Sequence, residues 1–348
     1  MLAVTFQGPG EVRVEERPDP EPREPTDAVV RVHATGVCGS DLHIYHGRHP
    51  VEPGFTLGHE FVGEVVAAGD DVSTVAAGDR VIGCFLAACG RCWFCERRLF
   101  HLCESLRIFG HGEISGGLQG SQAEQVLVPN ADLVLRRAPE TLPDDAALFA
   151  GDVMNTGFHA IHSGGLEARQ TAAVLGLGPV GLCAVQAARH AGAAQVIAVD
   201  TVPERLEMAE RFGARPVHLT EQDPRAEVKA ATEGRGVDLC VEAVGHEQAL
   251  DLAVRLTRKA GTVSTVGVHG ERCQVHMGLL WNKGLVLRAG VANVIANVDE
   301  VLGLLSSGAL DPLPLVTHHM KLEEAAEAYA AYDRREALKI VLAPPGRG

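Results

Sequence analysis

A chain of 348 residues has room for about two domains and a substantial core. Its hydrophobic content of 46% and charged content of 22% are those of a globular protein, and a net charge of −14 with no run of Lys and Arg argues against nucleic acid as a partner. No apolar run approaches the roughly 20 residues that span a bilayer, and the N-terminus lacks the basic and apolar segments of a secretory signal, so a cytoplasmic location without membrane contact is expected.

Residues 1–35 read as short strands. The stretches 3–6 and 12–15 flank Gly8-Pro9-Gly10, a proline-rich connector covers 17–25, and 28–33 is rich in valine. The next 25 residues, 36–60, carry an unusual density of chemistry between glycines. Cys38 and His59 suit a tetrahedral zinc, because thiolate and neutral imidazole both match that borderline-soft ion. Asp41 and Glu60 are candidate supporting carboxylates, and Ser40 with His43 is a candidate proton relay. A lone Cys or His is more often a core residue; the combination reverses that reading. Further strands at 61–66, 80–83 and 124–128 complete a compact, barrel-like β-rich unit.

Residues 89–103 place Cys89, Cys92, Cys95 and Cys103 in the spacing C-x2-C-x2-C-x7-C. Four thiolates close a tetrahedral zinc and leave no open position for chemistry, so this is a structural site. An iron–sulfur cluster takes similar ligands and is the alternative. Nine cysteines, an odd count, with four crowded into one segment, argue against a disulfide framework. Cys84, Cys183, Cys240 and Cys273 sit in apolar contexts and read as small core residues.

Near residue 150 the pattern changes to alternating strand and helix. Strand 171–175 runs into Gly176-Leu177-Gly178-Pro179-Val180-Gly181, a helix to about residue 190, and strand 195–199 ending at Asp200. This is the context that a dinucleotide-binding G-x-G-x-x-G requires. Gly176 permits the tight turn, Gly178 lets backbone approach a pyrophosphate, and Gly181 allows helix to pack on strand. The helix N-terminus, with Pro179 and Val180, offers N–H groups to the phosphates. Asp200 would accept the ribose hydroxyls and repel a 2′-phosphate, favouring NAD; Thr201 and Arg205 nearby keep NADP open. Helices at 203–212, 224–233 and to about 256 alternate with strands at 216–219, 237–242, 262–266 and 285–289, a parallel, doubly wound sheet. Residues 322–332 read as helix and 339–342 as extended, folding back on the first unit. Trp281 with Leu279 and Leu280 is a candidate interface or cleft element.

Gly58-His59-Glu60-Phe61-Val62-Gly63, followed by Gly69 and Val72, resembles the zinc signature of the medium-chain dehydrogenase/reductase superfamily. The Cys38 element, the four-cysteine lobe and the glycine loop stand in that family's order, and the resemblance is to zinc-dependent alcohol dehydrogenases of bacterial type, related to formaldehyde and threonine/polyol dehydrogenases. It implies an α/β architecture with a GroES-like β-rich catalytic domain, 1–153 and 292–348, bearing a zinc lobe at 84–108, and a Rossmann domain, 154–291. It also implies Cys38 and His59 as ligands of a catalytic Zn2+, with Glu60 as the acid beside it. Where other members carry a cysteine as third ligand, residues 151–157 resemble the variant with aspartate, which points to Asp152. Thr156 is expected near the nicotinamide, and Asp41 behind His59. Two Zn2+ ions, NAD, a small alcohol or aldehyde substrate and a homo-oligomer, dimer or tetramer, follow from the same resemblance. A polyol or threonine dehydrogenase with the same mechanism, drawing on His46 and Arg48, is the near alternative; a nonenzymatic dinucleotide-binding protein is the distant one.

Overall fold

A computed structural model describes residues 1–345; residues 346–348, which the domain reading above includes, lie outside the described part. The chain divides into two compact units, Met1–Asp152 with Asn293–Gly348, and Val153–Ala292. No helix among the described residues is long and apolar enough to cross a membrane.

The first unit is built on a seven-stranded sheet. Its strand order is His318–Lys321, Ile340–Ala343, Ala28–Val37, Phe61–Ala68, Arg80–Gly83 and Leu135–Arg137, with Gln125–Val128 also paired to Ala28–Val37. Leu2–Gly8 and Glu11–Glu16 form a separate hairpin. The strand at 28 runs four residues past its valine-rich part, because Thr35, Gly36 and Val37 pair with Leu342, Val341 and Ile340. Ala34 and Thr35 also pair with Val62 and Phe61, and the last two residues, Gly36 and Val37, are held by a partner roughly 300 residues away, as tertiary context does for strands generally. Two register shifts between this strand and Phe61–Ala68 bend the sheet toward a barrel. The interior is filled tightly. Phe61 meets Phe109 edge-on with ring centroids 5.5 Å apart, and a Cβ on Gly83 would fall 1.9 Å from the Phe61 ring.

One loop of this unit is tied down by a single carboxylate. Asp132 accepts hydrogen bonds from the backbone N–H and hydroxyl of both Ser73 and Thr74, at 2.7–2.9 Å for each group's best bond. Burial works against ionisation, but these donors outweigh it and bring the Asp132 carboxyl down to about 2. A depressed folded-state pKa contributes stability above the ordinary carboxylate value and loses it as pH falls through the folded one. Asp132→Asn is therefore expected to cost about 1 kcal/mol at neutral pH, given the site's partial exposure. The deficit should shrink as the pH falls from about 4 to about 2, measured by urea unfolding; a pH-independent deficit would contradict this account.

The second unit is a six-stranded parallel sheet in the order Arg215–His218, Gln195–Asp200, Thr171–Leu175, Val237–Glu242, Thr257–Thr265, Val286–Ala289. Its inner strands are buried on both faces, which is why they read as continuous apolar runs. The helices Val153–Gly164 and Pro179–His190 cross closely at Gly157, where a Cβ would meet Ala184 N at 2.6 Å. The fifth strand starts at Thr257, earlier than the expected 262, through an irregular register that leaves Lys259 and Ala260 exposed. Helices Met277–Lys283 and Val294–Ser306 were not legible as such. Cys84, Cys183 and Cys240 are fully buried, but Cys273 is only half-buried, on a segment without regular structure, and packs against the margin of the core rather than inside it.

Candidate metal centres and cofactor site

Cys38 ends the long strand and stands immediately before the seven-residue helix Gly39–Tyr45. The Asp41 carboxylate accepts from the Cys38 backbone N–H at 2.9 Å, which pins the thiol where the strand turns into helix. Ile44, fully buried beside Leu57 and Tyr329 in one core cluster, anchors the helix. His59 and Glu60 precede the strand Phe61–Ala68, and the Glu60 carbonyl accepts from Thr35 Oγ1 at 2.7 Å and Ser121 Oγ at 3.1 Å. Asp152 is the last residue before helix Val153–Gly164.

These elements bring Cys38, His59, Glu60 and Asp152 together, all buried, with one ligand atom from each within 4.8 Å of the others. Asp152 Oδ2 lies 3.5 Å from Cys38 Sγ and 3.2 Å from His59 Nε2. Ser40 Oγ is 3.2 Å from the same Nε2, while His59 Nδ1 faces Asp41 Oδ1 at 3.2 Å. Burial opposes a charged His59, but Asp41 and Asp152 raise its pKa well above the usual value. Burial likewise raises Asp152, yet hydrogen bonding to His59 and the charge of His59 hold its carboxylate below the usual range. Cys38 is pushed up, first by burial and then by Asp152. Burial also raises Glu60 to about 7, against the pull of Lys339.

Three features here escaped the sequence reading. Lys339, fully buried, contacts Glu60 Oε2 through Nζ and donates to Val37 O at 3.2 Å; despite burial, Glu60 keeps it cationic. Gly36 makes this pair possible, since a Cβ there would sit 1.8 Å from Glu60 Oε2. A chain of buried hydrogen bonds runs behind His59: Tyr329 Oη donates to Gln122 Oε1 at 2.8 Å, and Gln122 Nε2 donates to Gly36 O at 2.9 Å and Asp41 Oδ2 at 3.4 Å. His111, assigned no role above, stacks edge-on to His59 with centroids 5.1 Å apart; burial brings it down to about 4, so it stays neutral. None carries a motif: each acts through a fold-dependent neighbour.

The donor set fits a divalent cation. Beside the Cys38 thiol, the three carboxylates of Asp41, Glu60 and Asp152 outnumber the two cations, Lys339 and His59, an excess of buried negative potential that a metal neutralises. The Nδ1–Asp41 contact orients the ring so that Nε2 faces the centre. His43, one turn after Ser40, is half-buried; burial lowers its pKa, with Arg48, His49 and His46 adding to the effect. His46 is engaged by Asp333 Oδ1 at 2.8 Å, which leaves Arg48 as the exposed cation of that loop.

The four lobe cysteines also converge, with all four sulfur atoms within 4.8 Å of one another and three of the pairs at 3.5–4.0 Å. Thiolates around one zinc at Zn–S of about 2.3 Å stand about 3.8 Å apart; this spacing holds a single ion and leaves no room for a cluster. Backbone N–H groups of Cys89 and Ser105 point at Cys103 Sγ at 3.2 and 3.3 Å.

In the second unit Gly176 adopts φ +84°, and a Cβ there would strike Val244 at 2.5 Å; a Cβ on Gly181 would fall 1.8 Å from Gly176 O. A Cβ built on Gly178 would meet nothing within 4 Å beyond its chain neighbours, which leaves that side of the backbone open to a ligand. Pro179 starts the helix and Val180 follows in its first turn. Asp200, at the end of its strand, accepts from Leu177 N at 2.6 Å, Thr201 N at 2.7 Å and Val202 N at 3.0 Å, and Arg205 lies 4.0 Å away. Asp200, itself buried, therefore ties the glycine loop to the end of the neighbouring strand. Thr156 is buried in the first turn of Val153–Gly164.

Residues 24–140 match the family model of the alcohol dehydrogenase GroES-like domain, and residues 179–307 that of the zinc-binding dehydrogenases. A zinc-type alcohol dehydrogenase B of Aspergillus flavus is 35% identical over 98% of this chain and 81% of its own length. Among solved structures, an alcohol dehydrogenase from Thermus sp. ATN1 is 44% identical with a TM-score of 0.94, covering 99% of this chain and all of that one. A zinc-binding dehydrogenase of Sinorhizobium meliloti bound to NADP is 31% identical with a TM-score of 0.87, covering 99% of both chains.

Proposed function

The chain belongs to the zinc-dependent alcohol dehydrogenases of the medium-chain dehydrogenase/reductase superfamily, and from that premise we propose that it passes hydride between an alcohol and NAD, with Cys38, His59 and Asp152 holding the catalytic zinc and Glu60 beside it. The observation that carries this reading is the convergence of those four buried side chains within 4.8 Å. The first unit then performs the chemistry and Cys89, Cys92, Cys95 and Cys103 hold a structural zinc, while the second unit binds the cofactor. When bound, the zinc polarises the alcohol hydroxyl and the nicotinamide accepts the hydride.

The residues supply position and proton movement. Asp41, held by Gln122 and the Cys38 backbone, keeps the His59 ring turned so that Nε2 faces the centre. Ser40 Oγ, beside Nε2, receives the hydroxyl proton. His43, kept neutral by burial and by its cationic neighbours, is the acceptor for the relay beyond it. Elemental analysis paired with NAD reduction over simple, secondary and polyhydroxy alcohols tests the reading. About two zinc per chain with turnover of simple alcohols is expected; one zinc per chain without turnover would overturn it.

For the cofactor, the Asp200 carboxylate favours NAD, because it would repel a 2′-phosphate. The NADP in the Sinorhizobium structure makes this the point to test. Asp200→Asn is expected to lower kcat/KM for NAD by about tenfold or more, the worth of a charged hydrogen bond, and to leave that for NADP unchanged or raised. Equal losses with both cofactors would show that Asp200 acts only through the loop it ties.

The Val286–Ala289 strand lies at the end of its sheet, and all four of its residues are exposed, with Trp281 at 83% exposure nearby in the sequence. An uncovered apolar edge strand of this kind pairs readily with another chain, which supports a homo-oligomer closed across this edge. Sedimentation should show at least a dimer, and Leu287→Lys should shift it toward monomer; an unchanged assembly would rule out this edge.

A further inference from the structure

Six cationic side chains, Arg225, Lys229, Arg235, Arg255, Lys259 and Lys283, line one depression of about 280 Å³ in the second unit, and no acidic residue lines it. The chain as a whole carries 45 acids against 31 Lys and Arg. Only five lysines occur in it, at positions 229, 259, 283, 321 and 339, and three of them meet here. The residues are scattered over almost 60 positions, so no basic run marks the site in the sequence.

Part of this charge has a structural explanation. Lys283 Nζ donates to Val254 O, Arg255 O and Thr257 O at 2.7–2.9 Å and so closes the C-terminus of helix Glu247–Leu256. Arg255 pairs with Asp251 and Arg235 with Glu233. Arg225, Lys229 and Lys259 are different: all three are exposed, and among the described residues no carboxylate pairs with their side chains. The positive field is real enough to act on its own members, since burial and then the charges of Arg225 and Arg255 lower the Lys283 pKa.

The depression is separate from the cofactor loop. Gly236 and Leu256, in its wall, immediately precede the strands Val237–Glu242 and Thr257–Thr265. It therefore lies at the amino ends of the parallel strands, whereas Gly176–Gly181 follows the carboxyl end of Thr171–Leu175, roughly 15–20 Å away along the sheet.

We propose that this depression binds a small polyphosphate chain, either inorganic or the phosphate tail of a nucleotide. Cations from a helix start, a helix end and a strand surround the space, an arrangement that suits several linked anionic groups better than one. Unpaired lysine and arginine contribute affinity that falls steeply with salt.

The test is calorimetric titration of the full chain, saturated with NADH so that the glycine loop cannot take the anion. Tripolyphosphate, ATP and orthophosphate are compared at low and moderate salt. One site per chain is expected, with tripolyphosphate about tenfold tighter than orthophosphate. Lys229→Glu with Lys259→Glu should weaken it by about tenfold or more, whereas Lys321→Glu, an exposed charge reversal elsewhere, should not. ATP binding more tightly than tripolyphosphate identifies a nucleotide as the natural source, and equal affinity an inorganic chain. Absence of binding to the NADH-saturated protein would overturn the proposal. So would equal weakening by Lys321→Glu, which would reduce the effect to net charge.

Discussion

Cys38→Ala is expected to lower alcohol turnover by at least about a thousandfold, corresponding to several kcal/mol of lost Lewis-acid stabilisation, while NADH still binds. The thiol is buried, 3.5 Å from Asp152, in the cluster with His59 and Glu60. Its removal leaves an imidazole and carboxylates, a poorer set for zinc. Zinc content should fall from about two to about one per chain, because the four lobe cysteines are untouched. NADH fluorescence and calorimetry separate this from unfolding. Turnover near that of the unaltered protein would refute the assignment of Cys38 as a catalytic-zinc ligand.

Lys339→Ala should be among the most destabilising single substitutions in the first unit, at about 2–3 kcal/mol, because it leaves the buried Glu60 carboxyl without its cationic partner in a dry interior, where the carboxyl must take up a proton. Lys339 and Glu60 are both essentially inaccessible to solvent. The cost belongs to the broken pair rather than to the net worth of the pair. Lys339→Met combined with Glu60→Gln should therefore recover much of the loss. Calorimetry of the metal-free protein measures both variants, and the zinc contribution drops out of the comparison. A loss under about 1 kcal/mol for Lys339→Ala would show that water or rearrangement reaches Glu60.

The parts of this protein that were legible in the sequence are those whose chemistry demands fixed residues within one turn or loop. Two short cysteine intervals and a longer return wrap one ion. Gly176, Gly178 and Gly181 answer separate demands of turn, ligand approach and packing. Cys38 with Asp41, and His59 with Glu60, are neighbours along the chain before they are neighbours in space. Asp152 is the intermediate case. It lies 114 residues from Cys38 and was proposed only through the resemblance to a family, not from any local signal.

Amino-acid order alone therefore determined the alternating strand and helix pattern of the second unit, the four-cysteine set and the glycine loop, since each rests on local backbone geometry or ligand spacing. Tertiary structure decided the rest. Lys339 reaches Glu60 across 279 residues because Ile340 pairs with Val37, a register set by a whole sheet. Tyr329 and Gln122 join across 207 residues to support Asp41. The helix Val294–Ser306, the exposed edge at Val286–Ala289 and the basic depression at the strand amino ends all arise from packing. The compensation of buried charge and the exposure of an edge are properties of neighbours in space, and spacing along the chain does not encode them.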